Sequence, residues 1–244
     1  MMYIMRVNAN EALRKLVDEY PELRGQHIEI KIKQPAAEGG RYDPLTSGDE
    51  VLIQAEMEGA CGQVYTFHPR TFSGTVDAVA NLPNVSQYYY PVVVAVLNAA
   101  ARKVGLIDRS VECSPAEHGQ CARHICEFIK NQHGICRIGM IGFHPALLEE
   151  AAKVFGPENL AVMDLNPHHI GLFLHGVEVW DGDKDYRPLV DFADVLLIAG
   201  ANLVNGKADK IFELSKDKPY YFFGTTAAGL ARVNDLPWLC PMSV

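Results

Sequence analysis

The stretch Gly200-Ala201-Asn202-Leu203-Val204-Asn205-Gly206 follows directly on the apolar run Val195-Leu196-Leu197-Ile198. Two further apolar runs stop in the same way. Ile138-Gly139-Met140-Ile141 breaks at Gly142-Phe143-His144-Pro145, and Tyr220-Tyr221-Phe222-Phe223 breaks at Gly224-Thr225-Thr226. Short apolar runs that end in Gly and small polar residues, then lead into helix-like segments, read as buried parallel strands. In an open α/β sheet, the loops at the carboxyl ends of such strands line a ligand crevice.

Working outward, the second half reads as strand 138–142, helix 145–155, strand 160–164, an irregular stretch with a strand at Val177 to Trp180, helix 186–192, strand 195–199, helix 207–215, strand 220–223 and helix 225–233. That alternation predicts a doubly wound, Rossmann-like parallel sheet. Upstream, Ser114-Pro115-Ala116-Glu117 combines a capping box with Pro at the first helical position and starts a helix of about 115–132. The first half opens with a helix whose Leu13, Leu16, Val17 and Tyr20 share one face. Ile28, Ile30 and Ile32 alternate with Glu29, Lys31 and Lys33, the period of a half-solvated strand. A long turn over 34–49 leads to strands at about 50–58 and 62–68, so an antiparallel meander is expected. Residues 91–104 form a helix that is apolar nearly all round, to be buried between domains or between subunits of a homodimer, with Asn98 as its polar member. The fold class is therefore α/β, with a smaller α+β domain over 1–108 and a Rossmann-like domain over 109–244.

Composition narrows the function. A formal net charge of -8 argues against a nucleic-acid partner held by phosphate neutralisation. The longest apolar run, Val92 to Ala101, is too short to span a bilayer, and the start shows no basic segment ahead of a long apolar core. A cytoplasmic protein is expected. Six widely spaced cysteines without a C-x-x-C pair suggest reduced thiols, most of them buried and inert.

The segments Ile138 to Pro145, Asp164-Leu165-Asn166-Pro167, Gly176 to Gly182, Gly200 to Gly206 and Phe223 to Gly229 together resemble a family named for heavy-metal chelation and otherwise of unknown function. Val64-Tyr65-Thr66 and Leu97-Asn98-Ala99-Ala100 extend the resemblance into the first half. It implies an enolase-N-terminal-like domain ahead of the Rossmann-like one, with the active site in the cleft between them. The chain departs from the family pattern at Ala201, Asn202 and Lys207, where the family carries Thr or Ser.

Three constellations could carry chemistry. Gly142, Gly200 and Gly224 would let backbone approach a ligand, and Thr225 and Thr226 open a helix whose free N–H groups favour an anion. Asp164, 22 residues after Gly142, stands where a Rossmann acid meets a ribose hydroxyl. Gly142-Phe143-His144-Pro145 lacks the G-x-G-x-x-G turn, which disfavours a dinucleotide and leaves a smaller ligand such as S-adenosylmethionine. Ligand contacts are expected from Gly142, Asp164, Asn166, Gly200, Asn202, Asn205, Gly224, Thr225 and Thr226, with Tyr65, Thr66 and Asn98 reaching over from the first domain. Second, His118 and Cys121 lie one turn apart inside the apolar stripe of their helix, with Cys113 just upstream. Thiolate plus imidazole suits a thiophilic or transition metal ion, although a core cysteine beside a hydrogen-bonded histidine has the same pattern. Third, one of His168, His169 and His175 can face the crevice as acid, base or ligand, and Cys240 can fold back toward it. The expected function is binding of a small anionic or metal-associated ligand between the domains. The alternative is a small-molecule transferase, using S-adenosylmethionine, or a lyase.

Overall fold

The computed structural model describes residues 8–33, 50–82, 86, 88–204, 207–215 and 218–244. The expected turn at 34–49 and Asn205 lie outside the described residues. Helix α1 (Ala9–Glu19) starts at Asn8, whose side chain accepts from Asn10 N–H and Glu11 N–H, and it buries Leu13, Leu16 and Val17. Strands β1 (His27–Lys33), β2 (Val51–Met57), β3 (Ala60–Thr66) and β4 (Phe72–Thr75) form an antiparallel sheet in the order β3-β2-β1-β4. The expected meander is present, in a register that sets Ile30 opposite Ala55 and Ile53 opposite Val64. Beyond it, β4 closes the other edge on β1 and runs into α2 (Val76–Ala80), capped by Thr75.

Helix α3 (Tyr90–Lys103) has Pro91 in its first turn, where the missing N–H costs nothing. Every residue from Pro91 to Ala101 is buried within one chain, against β2 and β3 on one side and α1 on another. Domain packing thus consumes the apolar surface that could have served a homodimer. Asn98, fully buried, donates from Nδ2 to Gln63 O (3.0 Å) and Thr225 O (3.2 Å) and accepts from Gly229 N–H (2.7 Å). Each of its polar groups has a partner, as burial demands.

The second half builds α4 (His118–His133), β5 (Ile138–Ile141), α5 (Pro145–Phe155), β6 (Leu160–Asp164), β7 (Phe173–Leu174), β8 (Val177–Asp181), α6 (Arg187–Phe192), β9 (Val195–Ala199), α7 (Ala208–Leu214), β10 (Tyr220–Phe223), α8 (Ala228–Val233) and β11 (Trp238–Leu239). Helix α4 follows a 3-10 turn whose Ser114 and Glu117 make the predicted capping box. The sheet order is β11-β10-β9-β5-β6-β8-β7, parallel throughout except for the β7 edge. The architecture is a mixed α/β fold with one large sheet and one smaller antiparallel sheet plus helices. The order reverses about β5, with β6 on one side and β9 on the other, so the ends of β5 and β9 flank the switch point where a doubly wound sheet opens. No helix among the described residues is long and apolar enough to cross a membrane.

Candidate functional site

A cleft opens at the carboxyl ends of β5, β6, β9 and β10, facing β3 of the smaller sheet. It encloses about 1010 Å³ counted to its open mouth. Its lining brings together Asp164, Asn166, Gly200, Gly224, Thr225, Thr226 and Tyr65 of the expected ligand contacts, and all three metal candidates, Cys113, His118 and Cys121. Glu50, Glu112, His144, His169 and Cys240 join them. Among the described residues, the lining contains no Lys or Arg. A smaller chamber continues past Phe143 and Asp164, and there Gly142 and Asn202 sit with Tyr186.

The glycines divide by role. A Cβ on Gly200 would lie 2.6 Å from Ala227 N, and one on Gly142 would collide with Ala199 Cβ. Both positions need glycine for close packing between neighbouring loops. Gly224 differs: its φ is +83° and a Cβ there would meet no atom within 4 Å, so this bend alone has open space before it.

Asp164 is held by its own loop. Its Oδ2 accepts from Phe143 N–H (2.6 Å), and its Oδ1 accepts from Asn166 N–H (2.7 Å) and lies 3.0 Å from His169 Nδ1. With both oxygens engaged, the acid holds the loop after β6 in place while still lining the cleft. His169 is the buried histidine of its cluster, while His168 and His175 are exposed. Its Nε2 sits 3.3 Å from Asn166 Nδ2, so a proton on Nδ1 facing Asp164 satisfies both ring nitrogens. Asn202 likewise donates to Ile141 O (3.0 Å) and Ala199 O (3.2 Å), tying the short 3-10 turn Gly200–Leu203 to β5 and β9. Thr66 and Asn98 do not line the cleft: Thr66 Oγ1 accepts from His68 N–H (2.9 Å) and Asn98 is spent on packing. The segment read as one helix from 225 splits into a 3-10 turn, Thr225–Ala227, and the six-residue α8. Thr226 Oγ1 accepts from Tyr65 N–H (3.0 Å), which clamps β3 to this turn.

A polar line runs from β3 to the start of α4. Tyr65 donates to Glu112 Oε2 at 2.6 Å, and Glu112 Oε1 stands 3.6 Å from His118 Nε2. That nitrogen is buried and, among the described residues, has no hydrogen-bond partner. The His118 ring meets the His144 ring edge-on, with centroids 5.3 Å apart. His144 caps α5 by accepting from Leu147 N–H at Nδ1. Burial, with the neighbouring His118, pushes its pKa down to about 4, so the ring stays neutral in ordinary buffers.

The wall that carries His118 also carries sulfur. Cys113 precedes α4, Cys121 lies on it, and Cys240 follows β11; all three line the cleft, and the Cys121 thiol interacts with both others. The bond from Cys121 holds the Cys113 thiol below its usual pKa, and the same bond raises that of Cys121. Cys240 is raised by its bond to Cys121 and then by burial. Burial in the α4–α5 core pushes Cys126 up to about 12, as befits an inert thiol. All six cysteines are free. Even so, among the described residues no group of three His, Cys, Asp or Glu side chains is arranged to hold a metal ion as it stands.

No family model matches the chain, and no curated protein matches it. Solved structures do. A protein of unknown function of the DUF364 family from Pyrococcus horikoshii matches with a TM-score of 0.56 at 13% identity, over 92% of this chain and 80% of that one. A DUF364 family protein of unknown function from Desulfitobacterium hafniense DCB-2 matches with a TM-score of 0.50 at 12% identity, over 93% and 81%. At such identities the likeness is one of fold.

Proposed function

We propose that the cleft binds a small ligand that arrives with a thiophilic metal ion, the metal being cargo rather than a resident cofactor. The carrying observation is the make-up of the walls. Cys113, Cys121 and Cys240 face a lining that holds His118, Glu112, Glu50 and Asp164 and, among the described residues, no basic side chain. Carboxylates without cations repel a free anion and attract a cation, and thiols with imidazole select a soft or borderline one. This composition supports the metal-associated ligand over a free anion. Because among the described residues no three donors are preset around one point, the ion would bring part of its own coordination shell. Cys113, Cys121 and His118 would supply the protein's share, and the resemblance to a family named for heavy-metal chelation agrees with that chemistry.

The test is equilibrium dialysis of anaerobically purified protein with Zn(II) and Cd(II), each alone and with a small aminocarboxylate chelator, read by elemental analysis. Binding should require the reduced thiols and weaken at least about tenfold in Cys121→Ser and in His118→Ala, as losses of metal ligands do. Equal uptake by wild type and both variants, or none by wild type under any of these conditions, would end the reading.

A further inference from the structure

We propose that Cys121 and Cys113 form a thiol–disulfide exchange site whose substrate is a low-molecular-weight disulfide. The segment before α4, α4 itself and the segment after β11 each place a cysteine in the lining of one open cleft, with Cys121 interacting with both others. Of the three, Cys121 is the most accessible; Cys113 and Cys240 are each 8% exposed. A cleft wide enough for a small organic molecule brings a disulfide of that size to the Cys121 sulfur. The exchange shares these thiols with the proposed metal site but does not depend on a metal.

The steps balance without an outside oxidant. The Cys121 thiolate attacks one sulfur of R–S–S–R, forming Cys121–S–S–R and releasing RS⁻, which takes the proton Cys121 gave up. The Cys113 thiolate then attacks the Cys121 sulfur, forming the Cys113–Cys121 bond and releasing the second RS⁻, which is protonated in turn. The protein loses two electrons and the small disulfide gains them. Cys113 resolves the intermediate rather than Cys240 because closing a disulfide means drawing two sulfurs to about 2.05 Å. Cys240 interacts with Ser243 and Gly224 besides Cys121, and Ser243 Oγ also donates to its carbonyl (2.7 Å), which anchors it on three sides. Cys113 interacts with Cys121.

Bis(2-hydroxyethyl) disulfide, small and uncharged, is the probe, added at pH 8 to reduced protein in a Cys61→Ser/Cys136→Ser background to silence the thiols away from the wall. The expected result is about two equivalents of 2-mercaptoethanol released per chain and a Cys113–Cys121 cross-link in peptide mass spectrometry. Cys113→Ser should stop at a mixed disulfide on Cys121 after about one equivalent, Cys121→Ser should yield no Cys113 cross-link, and Cys240→Ser should still form the Cys113–Cys121 cross-link. Near-ultraviolet circular dichroism of each variant keeps misfolding from being read as loss of exchange. A parent protein that stops at the mixed disulfide, or a cross-link that omits Cys121 or joins it to Cys240, overturns the assignment. Exchange in a protein that takes up no metal would discard the metal reading and leave this one standing.

Discussion

Tyr186 lines the smaller chamber at 1% exposure, and among the described residues its hydroxyl has no hydrogen-bond partner. Burial and the nearby charges of Asp183 and Asp164 push its pKa up to about 12, so it remains a phenol. A buried hydroxyl without a partner costs about 1–3 kcal/mol. Tyr186→Phe should therefore raise stability by about 1 kcal/mol in urea unfolding, since shape is kept and only the orphan atom goes; a loss of stability would mean that the hydroxyl has a partner in solution. His144 gives a second expectation. Its folded pKa lies below the unfolded value near 6.5, so between about pH 6.5 and 4 the unfolded chain binds the proton and the folded chain does not. Stability should fall as pH drops through that window, by at most about 3 kcal/mol from this group. His144→Asn keeps a cap acceptor for Leu147 N–H and removes the titration. The gap between variant and wild type should shift in the variant's favour on acidification from pH 7 to 4.5, and parallel profiles would refute the assignment.

At the scale of elements, α3 is the spine on which the two sheets meet, and Asn98 is its joint. Asn98→Ala strips partners from Gly229 N–H, Gln63 O and Thr225 O at a fully buried position. A loss of about 3 kcal/mol is expected in urea unfolding, and a change under about 1 kcal/mol would show that water replaces the amide. The elements that were legible in the sequence share a physical trait. Strands β5, β6, β9 and β10 are covered on both faces, so their runs are apolar and end abruptly at Gly or Asp. Helix α4 announces itself through Ser114 and Glu117. By contrast, β4, β7 and β11 are short edge pairings made by backbone groups, and a sequence such as Phe72-Ser73-Gly74-Thr75 has no periodicity to reveal it. The site shows the same division. His118 and Cys121 were readable because one helix spaces them a turn apart, with Cys113 close by. Glu112 was not, since Tyr65 and His118 reach it only through packing, with Tyr65 separated by 47 residues along the chain. Asp164 and the crevice glycines were placed at the strand ends, but the packing around them was not legible, because position at a strand end does not reveal which neighbours crowd it.

For the molecule as a whole, the two proposals meet on the same sulfurs and so predict each other's behaviour. Protein oxidised with bis(2-hydroxyethyl) disulfide should take up at least about tenfold less Cd(II) than reduced protein, and dithiothreitol should restore it, because a disulfide sulfur is no longer a thiolate ligand. Undiminished uptake by the oxidised form would place the ion elsewhere.

The hydrogen bond from Tyr65 to Thr226, reinforced by Asn98 beneath it, rivets the rim of the small sheet to the far bank of the hollow, and one continuous apolar core runs under both. A receptacle fastened in this way cannot gape like a jaw. Guests must slip past side chains at a fixed aperture, so loading should leave the solution scattering profile of the protein unaltered.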